Sequence, residues 1–270
     1  MKRLLIIILL SLSFLTSYSQ GQKGRYVIIE TNMGNMKVLL YDATPKHQKR
    51  FLRLVRNKHF DNTLFYRVIK NFVIQGGSSD SKFAAKGRMI GYGRSMPMSA
   101  EIKKDLFHKK GALAAPRKAN RVNFFKESDI SQFYIVHGRK YTLIELTNME
   151  RTINNPIKRA IKAKVYTKDI KKILAKYKLE KKVKEFRALA EKVKKDYAFE
   201  WGASTDKLIF TDAQKKAYTT IGGMVYLDKE YTVFGEVVEG LEVIDKIAAL
   251  KTDKFDRPIK DAKIKIRILK

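Results

Sequence analysis

The residues with chemical potential gather in one stretch, Phe65-Tyr66-Arg67-Val68-Ile69-Lys70-Asn71-Phe72-Val73-Ile74-Gln75-Gly76-Gly77. One arginine stands among aromatic and aliphatic side chains, with Tyr66, Phe72 and Gln75 around it. On a strand from Phe65 to Ile69, period-two alternation puts Phe65, Arg67 and Ile69 on one face. A guanidinium among apolar neighbours is costly unless it serves something. It could pair with a carboxylate at a sheet edge or snorkel outward, and taken by itself the stretch favours one of these. Acid–base and metal chemistry find little support elsewhere. His47, His59, His108 and His137 are scattered without ligand spacing, no cysteine occurs, and no HExxH, P-loop or GxSxG pattern is present.

The elements that must position this stretch read mainly as strands. Residues 26–31 and 36–41 are strand-like, with Asn32-Met33-Gly34-Asn35 as the hairpin turn between them. Thr44-Pro45 looks like a helix start, and Phe51, Leu52 and Val55 continue at helical spacing to about residue 57. Leu64 to Gln75 has strand character, and residues 78–110 are loop-rich. Residues 111–115, 132–136 and 231–237 are short apolar runs. Glu239 to Leu250 reads as a helix, and Ala262 to Leu269 alternates as a half-buried strand.

Between these strands lies a block of different character. From 155 to 200 the apolar period becomes helical, with stripes at Ile170, Ile173, Leu174, Tyr177 and at Val183, Phe186, Ala190, Val193, Tyr197. Thr167 is an expected N-cap, and Thr211 with Gln214 an expected capping box. The block, 140–218, reads as an inserted helical hairpin. It is rich in charge: residues 151–200 hold 17 lysines and arginines against 6 aspartates and glutamates, in a chain of net charge +30. Such a field attracts anions, but charge alone reads no sequence. Few aromatic rings interleave with these cations, so a solvated lysine face is favoured over a nucleic-acid surface.

The first residues have the form of a secretory signal. Lys2 and Arg3 precede the apolar run Leu4 to Leu15, and Ser17-Tyr18-Ser19 offers a cleavage site. The run is short against the roughly 20 residues that span a bilayer. A cleaved leader at 1–19 is therefore expected, with a retained anchor as the alternative. Periplasmic or secreted placement follows, with no stable membrane insertion after cleavage.

The pattern FYRVIKNFVIQGG is similar to the cyclophilin signature FHRVIPGFMxQGG. QFYIV at 132–136 resembles a second family segment, SQFFI, and Tyr226-Leu227-Asp228 with Val233-Phe234-Gly235 resembles WLDG…VFG. The chain thus resembles the cyclophilin-type peptidyl-prolyl cis/trans isomerases over 24–139 and 219–270, with 140–218 inserted. The resemblance implies a mainly β fold, a closed antiparallel barrel capped by helices, here with an added α-helical subdomain. It implies rotation of X–Pro bonds in client chains, with no cofactor or metal.

By the same resemblance, Arg67 falls on the catalytic arginine. Tyr66, Phe72, Val73, Gln75, Pro116, Arg117, Gln132, Tyr134, Tyr226, Leu227 and Tyr231 fall on the substrate site. Phe72, Val73, Tyr134 and Leu227 would bury the proline ring, and Gln75 would orient Arg67. Tyr66 and Tyr231 replace histidines, Tyr226 a tryptophan and Val73 a methionine. Pro116 and Arg117 stand where alanine and asparagine are usual. Lys126 to Ile130 replaces a glycine before Ser131. The expected partners are proline-containing segments of exported proteins; the alternative is a non-catalytic binder of unfolded chains that uses the helical block as an arm.

Overall fold

The computed structural model describes residues 23–269; the expected leader lies outside them. In chain order the elements are β1 (Gly24–Thr31), β2 (Gly34–Tyr41), α1 (Pro45–Arg56), β3 (Thr63–Val68), β4 (Val73–Gly76), β5 (Pro97–Met98), β6 (Ala112–Ala114), β7 (Ser128–Asp129) and β8 (Phe133–Val136). Then come α2 (Leu143–Val165), α3 (Lys168–Leu179), α4 (Val183–Ala203), α5 (Asp212–Thr220), β9 (Val233–Glu239), α6 (Leu241–Ala248) and β10 (Lys263–Ile268). The chain divides into a barrel unit ending at Arg139 and resuming at Gly223, and a helical unit, Lys140–Gly222.

In the barrel unit eight antiparallel strands close in the order β1-β10-β3-β4-β8-β6-β9-β2, leaving no open edge. Alternation along each strand separates an inner core from an outer wall. In β10, Ile264 and Ile266 are buried while Lys263, Lys265 and Arg267 face water. Phe65, Phe133, Ile135, Ile74 and Leu113 belong to the central core, where Phe51 of α1 and Phe60 join them. Phe51 lies 4.9 Å from Phe60 and 5.4 Å from Phe234, ring centre to ring centre. Each of these rings is fully buried, worth about 1.5–3 kcal/mol apiece relative to exposure.

Helix α1 starts at Pro45 as the Thr-Pro pair predicts, but Thr44 makes no side-chain capping bond. Glu101 does that work from the far side of a loop. Its carboxylate accepts from the backbone N–H groups of Lys46 (3.2 Å) and His47 (2.9 Å) and meets His47 Nδ1 at 2.7 Å. Burial pushes Glu101 up, but these hydrogen bonds outweigh it and hold its carboxyl below the usual range.

The helical unit holds four helices rather than a hairpin. Helix α2 lies ahead of both expected stripes, and Pro156 sits inside it. Asn154 turns its amide onto another segment, with Nδ2 donating to Leu208 O (2.6 Å) and Oδ1 accepting from Leu208 N (2.8 Å). A capping box at Thr142 and Glu145 starts α2, Thr167 caps α3, and Thr211 with Gln214 caps α5. The two expected stripes are only partly buried: Leu174 and Val193 are covered, whereas Ile173 and Val183 are exposed.

Candidate active site

Residues Leu64 to Gln75 form two strands, not one. The chain reverses at Lys70-Asn71, where Asn71 takes a left-handed φ of 63°, and β3 pairs with β4. A register shift between Phe65 and Arg67 marks a bulge in β3. It breaks the alternation expected from sequence. Phe65 and Val68 point into the core, while Tyr66 packs outside with Leu64 and Ile90. Phe65 and Arg67 therefore do not share a face, and the bulge is what turns Arg67 onto the outer wall.

There it begins a lateral row. Arg67 pairs with Gln75, Gln75 with Tyr134, Tyr134 with Ala114, and Ala114 with Val233, across five neighbouring strands. Residues abreast in adjacent strands share a face. Val73, Tyr134, Ala114, Leu227 and Val233 form one apolar cluster on this wall, with Phe72 and Tyr231 against it. An apolar surface thus lies beside a cation, both on rigid strands.

The guanidinium is held from three sides. Nη1 donates to Gln75 Oε1 at 3.5 Å, Nε lies 3.6 Å from Asp256 Oδ2, and the group sits 5.9 Å from the Phe72 ring centre. Its side chain remains 40% exposed, so it is open to a ligand. Gln75 is fixed in turn: its Nε2 donates to Tyr66 Oη at 2.6 Å, and the Tyr66 hydroxyl donates to Gln132 Oε1. Gln132 Nε2 reaches Gly91 O at 3.4 Å. Tyr66 and Gln132 are both buried. Both contact Gln75 Nε2, Tyr66 Oη at 2.6 Å and Gln132 Oε1 at 3.4 Å, and so position Gln75. Burial pushes both the Tyr66 and Tyr134 phenols up, so neither ionises near neutral pH.

Midway along the row, Tyr134 Oη lies 2.9 Å from His108 Nε2, and His108 Nδ1 lies 2.9 Å from Asp228 Oδ1. Nothing in the sequence joined His108 to Asp228, since no fixed spacing links residues 120 apart. Asp256 was missed for the same reason. Beyond Leu227 opens a cavity of about 400 Å³, lined by Arg117, Ala119, Asn120, Tyr226, Leu227, Glu230 and Tyr231. Tyr226 is mostly exposed on its rim. Arg117 is committed: it donates to Glu230 O at 2.7 Å and Glu230 Oε2 at 2.6 Å, and lies 4.8 Å over the Tyr231 ring. Its side chain is 4% exposed, so it shapes the cavity wall and does not offer a free cation. Burial pushes Glu230 up, but Lys126 and Arg117 outweigh it and hold its carboxyl below the usual range. Pro116 does not line the cavity; its carbonyl accepts from Asp129 N at 2.7 Å.

The family model for cyclophilin type peptidyl-prolyl cis-trans isomerases matches residues 26–152 and 218–267, well over half of the chain. The chain belongs to the cyclophilin-type peptidyl-prolyl cis-trans isomerase family. Its activity is that of the family, isomerisation of peptidyl-proline bonds. Two isomerases of Arabidopsis thaliana are similar to it. One is 31% identical over 48% of this chain and 85% of its own length, the other 23% identical over 88% and 89%. An isomerase of Acinetobacter baylyi is 34% identical over 40% of this chain and 53% of its own. A crystal structure of a Cryptosporidium parvum cyclophilin type isomerase shares the fold, with TM-score 0.52, 21% identity, and coverage of 92% of this chain and 99% of that one. The gap in the family match, 153–217, falls inside the helical unit.

Proposed function

We propose that Arg67 carries the catalysis by stabilising the twisted prolyl amide. The peptide bond resists rotation because its C–N bond is partly double, a barrier of about 20 kcal/mol. No bond breaks during isomerisation, so the enzyme need only favour the rotated amide over both planar forms. Rotation localises a lone pair on the prolyl nitrogen. A guanidinium donating to that nitrogen, or to the neighbouring carbonyl oxygen, binds more strongly as the amide twists. The apolar cluster of Val73, Tyr134 and Leu227, edged by Phe72, takes the proline ring. The observation that carries this reading is the row Arg67–Gln75–Tyr134, which sets a half-exposed cation beside an apolar wall.

The test is a protease-coupled proline-peptide assay on Arg67→Ala and Arg67→Lys. Turnover should fall by about 10²-fold or more for alanine, the usual cost of removing a transition-state donor. Lysine should rescue little of it, because it lacks the planar fork. Wild-type rates in both variants would remove Arg67 from the mechanism. The clients we propose are proline-containing segments of exported proteins, met in the periplasm or outside the cell. The charged start, apolar run and small-residue site within residues 1–19 support this. Mass spectrometry of the protein from the envelope fraction should find an N-terminus at Gln20; recovery of the full-length chain from the cytosol would reverse it.

A further inference from the structure

We propose that the aromatic pair Phe124–Phe125 is a second anchor for the client chain, gripping hydrophobic residues that flank the proline. This rests on the isomerase site described above. The loop between β6 and β8 displays Val122, Phe124 and Phe125 to solvent, at 64%, 87% and 81% exposure. The two rings meet edge to face, 5.6 Å apart. Contiguous exposed aromatics mark interaction surfaces, and this patch is not an unstructured tip. A short 3-10 turn covers Asn120–Val122. Asn123 Nδ2 donates to Glu127 O at 2.8 Å and its Oδ1 accepts from Glu127 N at 2.9 Å. The loop spends its hydrogen bonds on holding two rings away from the core.

The occupant follows from continuity with the substrate surface. Ala119 and Asn120, at the start of the turn, line the 400 Å³ cavity together with Leu227. Leu227 also belongs to the apolar cluster of Val73 and Tyr134. At the other end, Lys126, next to Phe125, donates from Nζ to Lys229 O at 3.1 Å and Glu230 Oε1 at 2.8 Å. The segment that carries the rings is thereby tied to the cavity wall. A client whose proline sits against Leu227, with its chain extended past the cavity, would bring flanking residues to the aromatic pair. A tetrapeptide has few flanking residues to offer, whereas an unfolded protein chain continues on both sides.

The experiment compares the mature chain with its F124S/F125S double variant, both substitutions being at exposed positions. Three readouts are taken: turnover of a proline tetrapeptide, catalysis of the proline-limited refolding of an unfolded protein, and affinity for a permanently unfolded, reduced and alkylated chain by fluorescence anisotropy. The expected result is tetrapeptide turnover unchanged within about twofold, with refolding catalysis and unfolded-chain affinity both down about tenfold, the scale of a lost ring contact. Equal activity of the two proteins on both substrates overturns the proposal, and so does an equal loss on both. A dimer of the parent protein that the double variant turns into monomer, or loss only of binding to anionic phospholipid vesicles, assigns the rings to another partner and also overturns it. If the parent protein turns over no tetrapeptide, the Arg67 reading fails; the anisotropy result still decides the anchor.

Discussion

The Tyr66–Gln75 contact offers a sharp test of how the arginine is held. Tyr66→Phe removes one hydroxyl and two hydrogen bonds, to Gln75 Nε2 at 2.6 Å and to Gln132 Oε1. Gln75 Nε2 keeps only a long contact to Gln132 Oε1, at 3.4 Å. Two bonds at about 0.5–1.5 kcal/mol each predict a stability loss of about 2 kcal/mol. With a urea m-value of about 2 kcal/mol/M, the unfolding midpoint should fall by about 1 M. The effect on turnover is indirect. Gln75 free to rotate no longer offers Oε1 to Arg67 at 3.5 Å. The guanidinium is then left with Asp256 at 3.6 Å, a half-exposed pair worth about 0.2–1 kcal/mol. We expect kcat to fall about three- to tenfold, about 0.6–1.4 kcal/mol of barrier, with KM little changed. Gln75→Met should do the same, and the double variant should lose less than the sum of the two by about 1 kcal/mol. Effects on kcat that add within about 0.3 kcal/mol, or a Tyr66→Phe enzyme less stable yet fully active, would refute the positioning argument.

Three further outcomes are expected. Glu101→Ala should cost about 2 kcal/mol of stability by uncapping α1 and stranding His47, while leaving turnover per folded molecule unchanged; urea melts and the peptide assay read both. Stability should be level from about pH 7 to about pH 9 and fall as the pH drops below 6.5, because burial holds His47, His59 and His137 below that ordinary value. The unfolded chain then binds protons the folded chain refuses, and Glu101 and Glu230, held below 4.5, extend the loss at lower pH; thermal melts showing a rise in stability on acidification from pH 7 to pH 5.5 would contradict this. Replacing residues 140–222 by a short turn should leave a folded barrel with tetrapeptide turnover within about threefold of the parent. Arg139 and Gly223 already exchange paired backbone hydrogen bonds of 3.0 Å each way, so the closure adds little strain; an unfolded or inactive product would show that the barrel needs the insertion.

The sequence made the strands and the reactive stretch legible because both rest on local pattern. The alternation of Ile264 and Ile266 with charged neighbours, the hairpin at Gly34 and the capping box at Thr211 and Gln214 all involve residues a few positions apart, and each lies where its pattern put it. What stayed hidden depends on pairing between distant segments. The bulge that separates Phe65 from Arg67 is invisible until β4 fixes the register. Glu101 capping a helix that begins at Pro45, Asp256 meeting Arg67, and His108 joining Tyr134 to Asp228 all cross intervals set only by barrel closure. Helix α2 lies ahead of both stripes that marked the helical block, and its Pro156 is carried inside a long helix capped at Thr142.

The distribution of departures from the family pattern has its own physical logic. Arg67, Gln75 and Tyr134 lie abreast on three hydrogen-bonded strands, where a shift of one residue would turn a side chain to the other face of the wall. Changes there are restricted to size and polarity, as with Val73 for methionine and Tyr134 for phenylalanine. Arg117, Tyr226, Tyr231 and the aromatic pair at Phe124–Phe125 lie on connections, where the backbone can be lengthened without disturbing any ladder. Arg117 shows how such a change is accommodated. An arginine in place of asparagine would leave a buried charge, but Glu230 and the Tyr231 ring neutralise and cover it within the same loop cluster. On the proposed reading, the chemistry that rotates a prolyl bond is held by strand register, while the proposed client contacts at Arg117, Tyr226, Tyr231 and Phe124–Phe125 are carried by loops free to diverge.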